Sequence, residues 1–277
     1  MSSQDAAELL AKKQNYLIDL DGVVYEGSSL ITGAGEAVEF FRLSGKKIFF
    51  LTNNSAQHPK SLVKKLGKLG VSCAPQAVLS SGEAAALYVR KNRLDMPHGV
   101  FVIGSQEFRA LLIESGIKIS DDPTVCSALV AGMDLEFNYK TIILGLTALK
   151  RCVPFIACNR DANYPSDKGV LMPGCGALIA ALETASMCRA DHVIGKPSPL
   201  MLELALERLG ASAANCLVFG DTLEADIAMA TAAGVSSILI QPPGIKQVMC
   251  PAGVEPTARL ASLKDAAELL EGISTCV

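Results

Sequence analysis

The chain has no apolar run of the ~18 residues that a transmembrane helix needs, so membrane spanning is not expected. It has no Lys/Arg block: 25 basic residues stand against 28 acidic ones, for a net charge of −3. A nucleic-acid partner, which would have many phosphates to neutralise, is therefore not expected. The start, Met1-Ser2-Ser3-Gln4-Asp5, lacks the basic residues and apolar stretch of a signal peptide, so a cytoplasmic address is expected. No Cys-x-x-Cys occurs among the nine cysteines, and His58, His98 and His192 stand apart, which argues against a zinc constellation. An odd number of cysteines scattered through apolar segments reads as small buried hydrophobes in a reducing compartment. No repeat, low-complexity tract or Pro/Gly/Ser linker stands out.

What is present is core-forming material. Half of the 277 residues are hydrophobic and 19% are charged. At about 150 residues per domain, the length suggests roughly two domains. Short apolar runs predict strands at Tyr16–Leu20, Lys47–Thr52, Val100–Ile103, Ala128–Ala131, Pro154–Cys158, Asn215–Phe219 and Ser236–Ile240. Between them, amphipathic stretches predict helices at Ala34–Leu43, Lys60–Leu69, Glu83–Arg93, Gln106–Glu114, Tyr139–Lys150, Gly176–Met187, Pro199–Leu209 and Leu223–Ala233. Gly45, Gly70, Gly116, Gly210 and Gly234 stand where helices end. The alternation predicts an α/β fold with a mainly parallel sheet. Without a linker, a second domain has to be inserted in the first.

Ligands of open parallel sheets bind outside the carboxyl ends of the strands, so the residues closing each apolar run carry the information. These are Asp19-Leu20-Asp21-Gly22, Thr52-Asn53-Asn54-Ser55 and Gly220-Asp221-Thr222, with Glu224 and Asp226 close behind the last. Lys196 stands in Gly195-Lys196-Pro197-Ser198-Pro199. Asp19 and Asp21, two apart, would share one face if the strand continued, and Asp221 could join them. Carboxylates gathered in this way call for a hard cation such as Mg²⁺. The Thr52 hydroxyl and the Lys196 ammonium add donors suited to a phosphoryl group. An Asp can also be the nucleophile, through an aspartyl-phosphate. Taken singly, each motif also fits a turn, a helix cap or a loop. Four of them at strand ends point to phosphoryl transfer.

In order and spacing these motifs resemble the haloacid dehalogenase (HAD) superfamily, in its 4-nitrophenylphosphatase, NagD and pyridoxal-phosphate phosphatase branch. The resemblance implies a HAD-like Rossmannoid core, residues 1–82 and 186–277, with an α/β cap domain inserted at 83–185. It implies that Asp19 attacks phosphorus, and that Asp21 protonates the leaving oxygen and later activates water. The resemblance assigns magnesium to Asp19, the backbone carbonyl of Asp21 and Asp221, with Asp226 supporting the metal shell or Lys196. Thr52 and Lys196 would hold the phosphoryl oxygens, with Asn53 and Asn54 beside them at the substrate. Asp rather than Thr or Ser at position 21 points to a hydrolase.

In this branch the loop after the third cap strand reads the substrate; here it is Asn159-Arg160-Asp161-Ala162-Asn163-Tyr164-Pro165. Tyr164 stands where the vertebrate vitamin-B6 phosphatase has the His of Trp-His-Pro, and Pro242-Pro243-Gly244 replaces a more usual Thr-Gly stretch. The expected function is a Mg-dependent phosphatase acting on small phosphorylated metabolites: 4-nitrophenyl phosphate in vitro, and phosphoglycolate, nucleotide or pyridoxal phosphate types. The rival is a non-catalytic phosphometabolite-binding regulatory protein on the same fold. A receiver domain is too short, and a dinucleotide-binding oxidoreductase would need Gly-x-Gly-x-x-Gly where only Gly22 occurs. A homodimer through the cap remains open.

Overall fold

The apolar run opening at Asn15 forms a strand buried along its whole length, because its sheet continues on both sides of it. In chain order the strands are β1 (Asn15–Asp19), β2 (Tyr25–Glu26), β3 (Ser29–Leu30), β4 (Lys47–Thr52), β5 (Val78–Ser80), β6 (Val100–Ile103), β7 (Ala128–Ala131), β8 (Phe155–Ala157), β9 (Asn163–Pro165), β10 (Leu171–Pro173), β11 (His192–Val193), β12 (Cys216–Gly220), β13 (Ser236–Ile240) and β14 (Ala258–Leu260). The helices are α1 (Ser3–Lys12), α2 (Ala34–Leu43), α3 (Pro59–Lys68), α4 (Ser81–Lys91), α5 (Gln106–Glu114), α6 (Tyr139–Leu149), α7 (Cys175–Ser186), α8 (Pro199–Leu209), α9 (Ala228–Ala232) and α10 (Leu263–Ser274). The computed structural model describes residues 3–165, 170–244 and 252–274. Two units divide the chain: Met1–Thr52, Val63–Leu79 and Lys196–Val277 form one, Asn53–Leu62 and Ser80–Gly195 the other.

The first unit carries a six-stranded sheet in the order β14-β13-β12-β1-β4-β5. From β14 to β4 every neighbouring pair is parallel. Tyr16 of β1 packs edge-on to Phe41 of α2 at 5.0 Å between ring centres and lies 5.1 Å from Phe219 of β12. Such aromatic pairs add about 0.5–1.5 kcal/mol beyond the apolar area they bury. Helix α10 packs against both α1 and α2. Helices α1 and α10 share the sequence Asp-Ala-Ala-Glu-Leu-Leu, at 5–10 and 265–270, a six-residue identity too short to make a repeat. Lys46 secures the C-terminal end of α1: its ammonium donates to the carbonyls of Leu10, Ala11 and Lys13 at 3.0, 2.8 and 2.7 Å. The last turn of a helix leaves such carbonyls without partners, and a cation there also suits the helix dipole.

The second unit has its own parallel sheet, β11-β8-β7-β6, and an antiparallel hairpin of β9 and β10. Its core joins Phe101, Leu129, Phe155, Ile179 and Leu182. Phe108 of α5 is fully buried against three glycines. A Cβ on Gly82, Gly104 or Gly132 would press on its ring, so those positions admit no side chain without a shift.

Four predicted strands and three predicted helices have the expected bounds, and the others shift by one or two residues, with one exception. The stretch predicted as one helix at Leu223–Ala233 opens as a π-helical turn, Leu223–Ile227, before α9. Residues Asn163–Pro165 of the predicted substrate-reading loop pair with β10 as strand β9. The cysteine reading needs correction, since Cys152 and Cys188 are exposed and Cys73 is half-buried. Cys250 and Cys276 lie outside the described residues. Among the described residues, no helix is long and apolar enough to cross a membrane.

Candidate active site

From β1 the chain moves outward to β4 and β5, then returns to the other side of β1 to lay down β12, β13 and β14. The sheet therefore changes direction between β1 and β12, the place where open α/β sheets form their ligand crevice. Asp19 is the last residue of β1, Thr52 the last of β4, and Asp221 follows the last residue of β12. The strand does not continue from Asp19 to Asp21, as the shared-face reading supposed. The chain winds into a turn in which the Leu20 carbonyl accepts from the N–H groups of Val24 and Tyr25 at 2.9 and 3.1 Å. Gly22 has φ +80°, and a Cβ there would overlap the Asp221 carboxylate. Only glycine meets both demands at low cost.

At this edge the Lys196 ammonium bridges two carboxylates. It donates to Asp19 Oδ1 and, at 2.7 Å, to Asp226 Oδ1. All three residues are buried, with exposures of 3% for Lys196, 7% for Asp19 and 2% for Asp226. Asp226 Oδ2 accepts from the Thr222 hydroxyl at 2.8 Å and its N–H at 3.3 Å, so Lys196 fixes one carboxylate oxygen and Thr222, just ahead of the π-helical turn that carries Asp226, fixes the other. A Cβ at Gly220 would collide with Asp226, which explains the glycine that ends β12. Asp19, Asp221 and Asp226 each bring an oxygen within 4.8 Å of the others.

Three carboxylates around one ammonium leave the cluster with excess negative charge. Burial, then the Asp226 charge, pushes Asp221 up to about 7, against the pull of Lys196. Burial likewise raises Asp19, opposed first by Lys196. Burial alone would lower Lys196, but Asp19 and Asp226 overcome it and hold it protonated. Crowded, desolvated carboxylates that resist full ionisation are what a hard divalent cation would relieve, and all the donors here are oxygens. The residues fit a magnesium ion.

Asp21 lies outside that group of three carboxylates. Protein packed around it raises its pKa, and Lys65, the Tyr25 hydroxyl and Lys196 oppose that rise. Its Oδ2 accepts from the buried Tyr25 hydroxyl at 3.3 Å. Thr52 is buried at 2% exposure. Asn53, Asn54 and Tyr164 belong to the second unit. There Asn53 Nδ2 donates to Asp161 Oδ1 at 2.9 Å, and Asn159 Nδ2 to the Asn53 carbonyl at 2.6 Å. Asn54 Oδ1 accepts from the N–H groups of Ala56 and Gln57. Tyr164, on β9, is 38% exposed. Pro242, Pro243 and Gly244 are exposed just beyond β13.

Three residues in contact with this constellation had no assigned part in the sequence reading: Thr222, Tyr25 and Lys65. Thr222 stood inside a quoted motif and Tyr25 three residues beyond another, with nothing to mark a role. Lys65 comes from α3, where it matches any solvent-facing lysine of an amphipathic helix.

Family comparison agrees with this geometry. A haloacid dehalogenase-like hydrolase model matches residues 16–118, and a HAD-hydrolase-like model matches residues 193–266. A sugar phosphatase of Bacillus subtilis, AraL, is 32% identical, over 92% of this chain and 92% of its own. The p-nitrophenyl phosphatase of Archaeoglobus fulgidus superposes with a TM-score of 0.83 at 29% identity, covering 93% of this chain and 99% of the other. A glycerol phosphate phosphatase of Mycobacterium tuberculosis, solved in complex with magnesium, superposes with a TM-score of 0.81 at 26% identity, over 94% and 79% of the two chains. With carboxylates, lysine and sheet edge in place, the chain belongs to the haloacid dehalogenase-like hydrolases, as a phosphoric monoester hydrolase of the 4-nitrophenylphosphatase and NagD type.

Proposed function

We propose that the protein is a magnesium-dependent phosphatase of small phosphorylated metabolites that works through an aspartyl-phosphate on Asp19. The observation that carries this reading is the buried Asp19–Lys196–Asp226 bridge with Asp221 beside it, at the sheet's switch point. Asp19, the Asp21 carbonyl and Asp221 would hold the ion, with Asp226 behind them. Bound there, magnesium supplies the positive charge that lets an anionic nucleophile meet an anionic phosphoryl group.

Asp19 attacks phosphorus and forms the new P–O bond while the bond to the leaving oxygen breaks. That oxygen keeps the electron pair and takes its proton from Asp21, whose raised pKa suits a donor. In the second half, Asp21 takes a proton from water, the water attacks phosphorus, and Asp19 is released with inorganic phosphate. Lys196 orients Asp19 and places a positive charge next to the attacked group, while Thr52 offers a hydroxyl donor. The inserted unit, acting as a cap, selects the leaving group, with Tyr164 in its substrate-reading segment.

The test is phosphate release from a panel: 4-nitrophenyl phosphate, glycerol phosphate, sugar phosphates, phosphoglycolate, nucleoside monophosphates and pyridoxal phosphate. Turnover is expected with magnesium, is lost in excess chelator and is not restored by calcium. Calcium takes more oxygens at longer distance and would engage both oxygens of Asp19. Silence across the whole panel would favour the phosphometabolite-binding reading instead.

A further inference from the structure

Asp21 is the residue asked to deliver a proton, yet it stands within a tight turn, where a carboxyl without partners would sample several orientations. Two contacts restrain it. Tyr25 is 1% exposed and its hydroxyl donates to Asp21 Oδ2 at 3.3 Å. The backbones are joined as well, since the Gly22 N–H donates to the Tyr25 carbonyl at 2.9 Å and Asp21 and Tyr25 form a β-bridge. The Tyr25 ring is held in turn by Lys65, whose ammonium lies 3.6 Å from the ring centre. All these residues belong to the first unit.

We propose that Tyr25 is a positioning residue for Asp21, its hydroxyl fixing one carboxyl oxygen so that the other faces the leaving group, with the Lys65 ammonium clamping the Tyr25 ring. This rests on Asp21 being the proton donor of the proposed reaction. A cation over an aromatic face fixes the ring plane, and the ring plane sets where the hydroxyl points. A phenol keeps its proton at neutral pH, so the Tyr25 hydroxyl donates and the Asp21 oxygen accepts. At 3.3 Å the bond is long for a hydroxyl–carboxylate pair, and catalytic hydrogen bonds commonly shorten when the substrate arrives.

The role has a signature that general support of the fold lacks. A positioned acid matters most when the leaving group is poor. Phenyl phosphate and 4-nitrophenyl phosphate differ little in shape but greatly in how much they need a proton. The quantity to compare is kcat/KM, which reports the steps up to departure of the leaving group and leaves out the later hydrolysis. Tyr25→Phe should lower kcat/KM for phenyl phosphate about tenfold, and for 4-nitrophenyl phosphate less than about threefold. Lys65→Met, which keeps the length and removes the charge, should show the same ranking with smaller losses. Asp21→Asn, as reference, should show the ranking at its steepest.

Equal losses on both esters, or no loss on either, in Tyr25→Phe overturn the proposal. If Asp21→Asn itself shows no dependence on the leaving group, the donor assignment and this proposal fall together. If Asp21→Asn shows it and Tyr25→Phe does not, only this proposal falls. Should Tyr25→Phe fail to fold, Lys65→Met carries the same comparison, and a flat ranking there is equally decisive.

Discussion

The molecule holds two mainly parallel sheets, and their carboxyl edges differ at the central strands. The six-stranded sheet ends in Asp19, Thr52 and Asp221. The four-stranded sheet runs out into Gly104 after β6 and Gly132 after β7, and the ring of Phe108 occupies the space those glycines leave. Beyond β1, β4 and β12 the edge carries carboxylates and a hydroxyl, whereas beyond β6 and β7 it is filled by a hydrocarbon ring. Architecture alone therefore does not make a site; the residues at the strand ends do.

Buried ions repeat the contrast. In the first unit three carboxylates share one ammonium, and burial wins, raising Asp19 and Asp221. In the second unit one carboxylate, Glu183, receives Arg160, Arg189 and the Ala190 N–H. Burial alone would raise Glu183, but these partners overcome it and hold it below the ordinary carboxylate range. An undercompensated cluster is poised for chemistry or a cation. An overcompensated one fastens structure.

The sharpest way to break this comparison is Asp19→Asn. It should cut turnover by about 10³-fold or more while leaving thermal unfolding nearly unchanged, because an amide keeps the shape and loses the nucleophile. Substantial remaining activity would remove Asp19 from the mechanism. Phe108→Ala tests the plugged edge. Emptying a fully buried aromatic site should cost roughly 3–5 kcal/mol in denaturant unfolding of the second unit. A loss under about 1 kcal/mol would mean the ring merely covers the edge.

Glu183→Gln should cost about 1–3 kcal/mol at neutral pH, less than a fully enclosed pair would, since Arg189 is 84% exposed and can return to water. Because Glu183 has a depressed pKa in the folded state, its contribution is complete above the ordinary carboxylate range, at about pH 4–5. It fades as the pH falls through the folded-state pKa. The gap between wild type and variant should therefore close in acid; a gap that widens there contradicts the assignment. The smallest effect belongs to Tyr164→Ala, a threefold to tenfold loss in kcat/KM for large esters with small esters spared, or about 0.5–1.5 kcal/mol. Equal losses for both classes would move Tyr164 from substrate reading to support.

Strands with both faces buried print themselves on a sequence as unbroken apolar runs, which is why β4, β6, β7 and β13 were predicted at their observed bounds. Strands β5, β11 and β14 have two or three residues each, too few for any period to register. The β2–β3 hairpin was equally invisible, though it follows directly on the turn that carries Asp21. Helices α1 and α10 owe their place to mutual packing, information that no single stretch contains. The Asp19, Asp221, Asp226 and Lys196 constellation was legible because strand ends converge by topology. What Tyr25 and Lys65 do was not, because a ring–cation contact between residues 40 apart leaves no local pattern.

Lys46 carries a consequence for covalent labelling. The residue is 8% exposed, and its ammonium is spent on three carbonyls at the end of α1. Amine-reactive reagents should modify the surface lysines first and reach Lys46 only in molecules whose first helix has come away. Once acylated, the nitrogen loses its charge and most of its donors, so the helix has no seat to return to. Mass spectrometry of that one residue against time would then count openings of the N-terminal helix, a local event that whole-protein melting averages away.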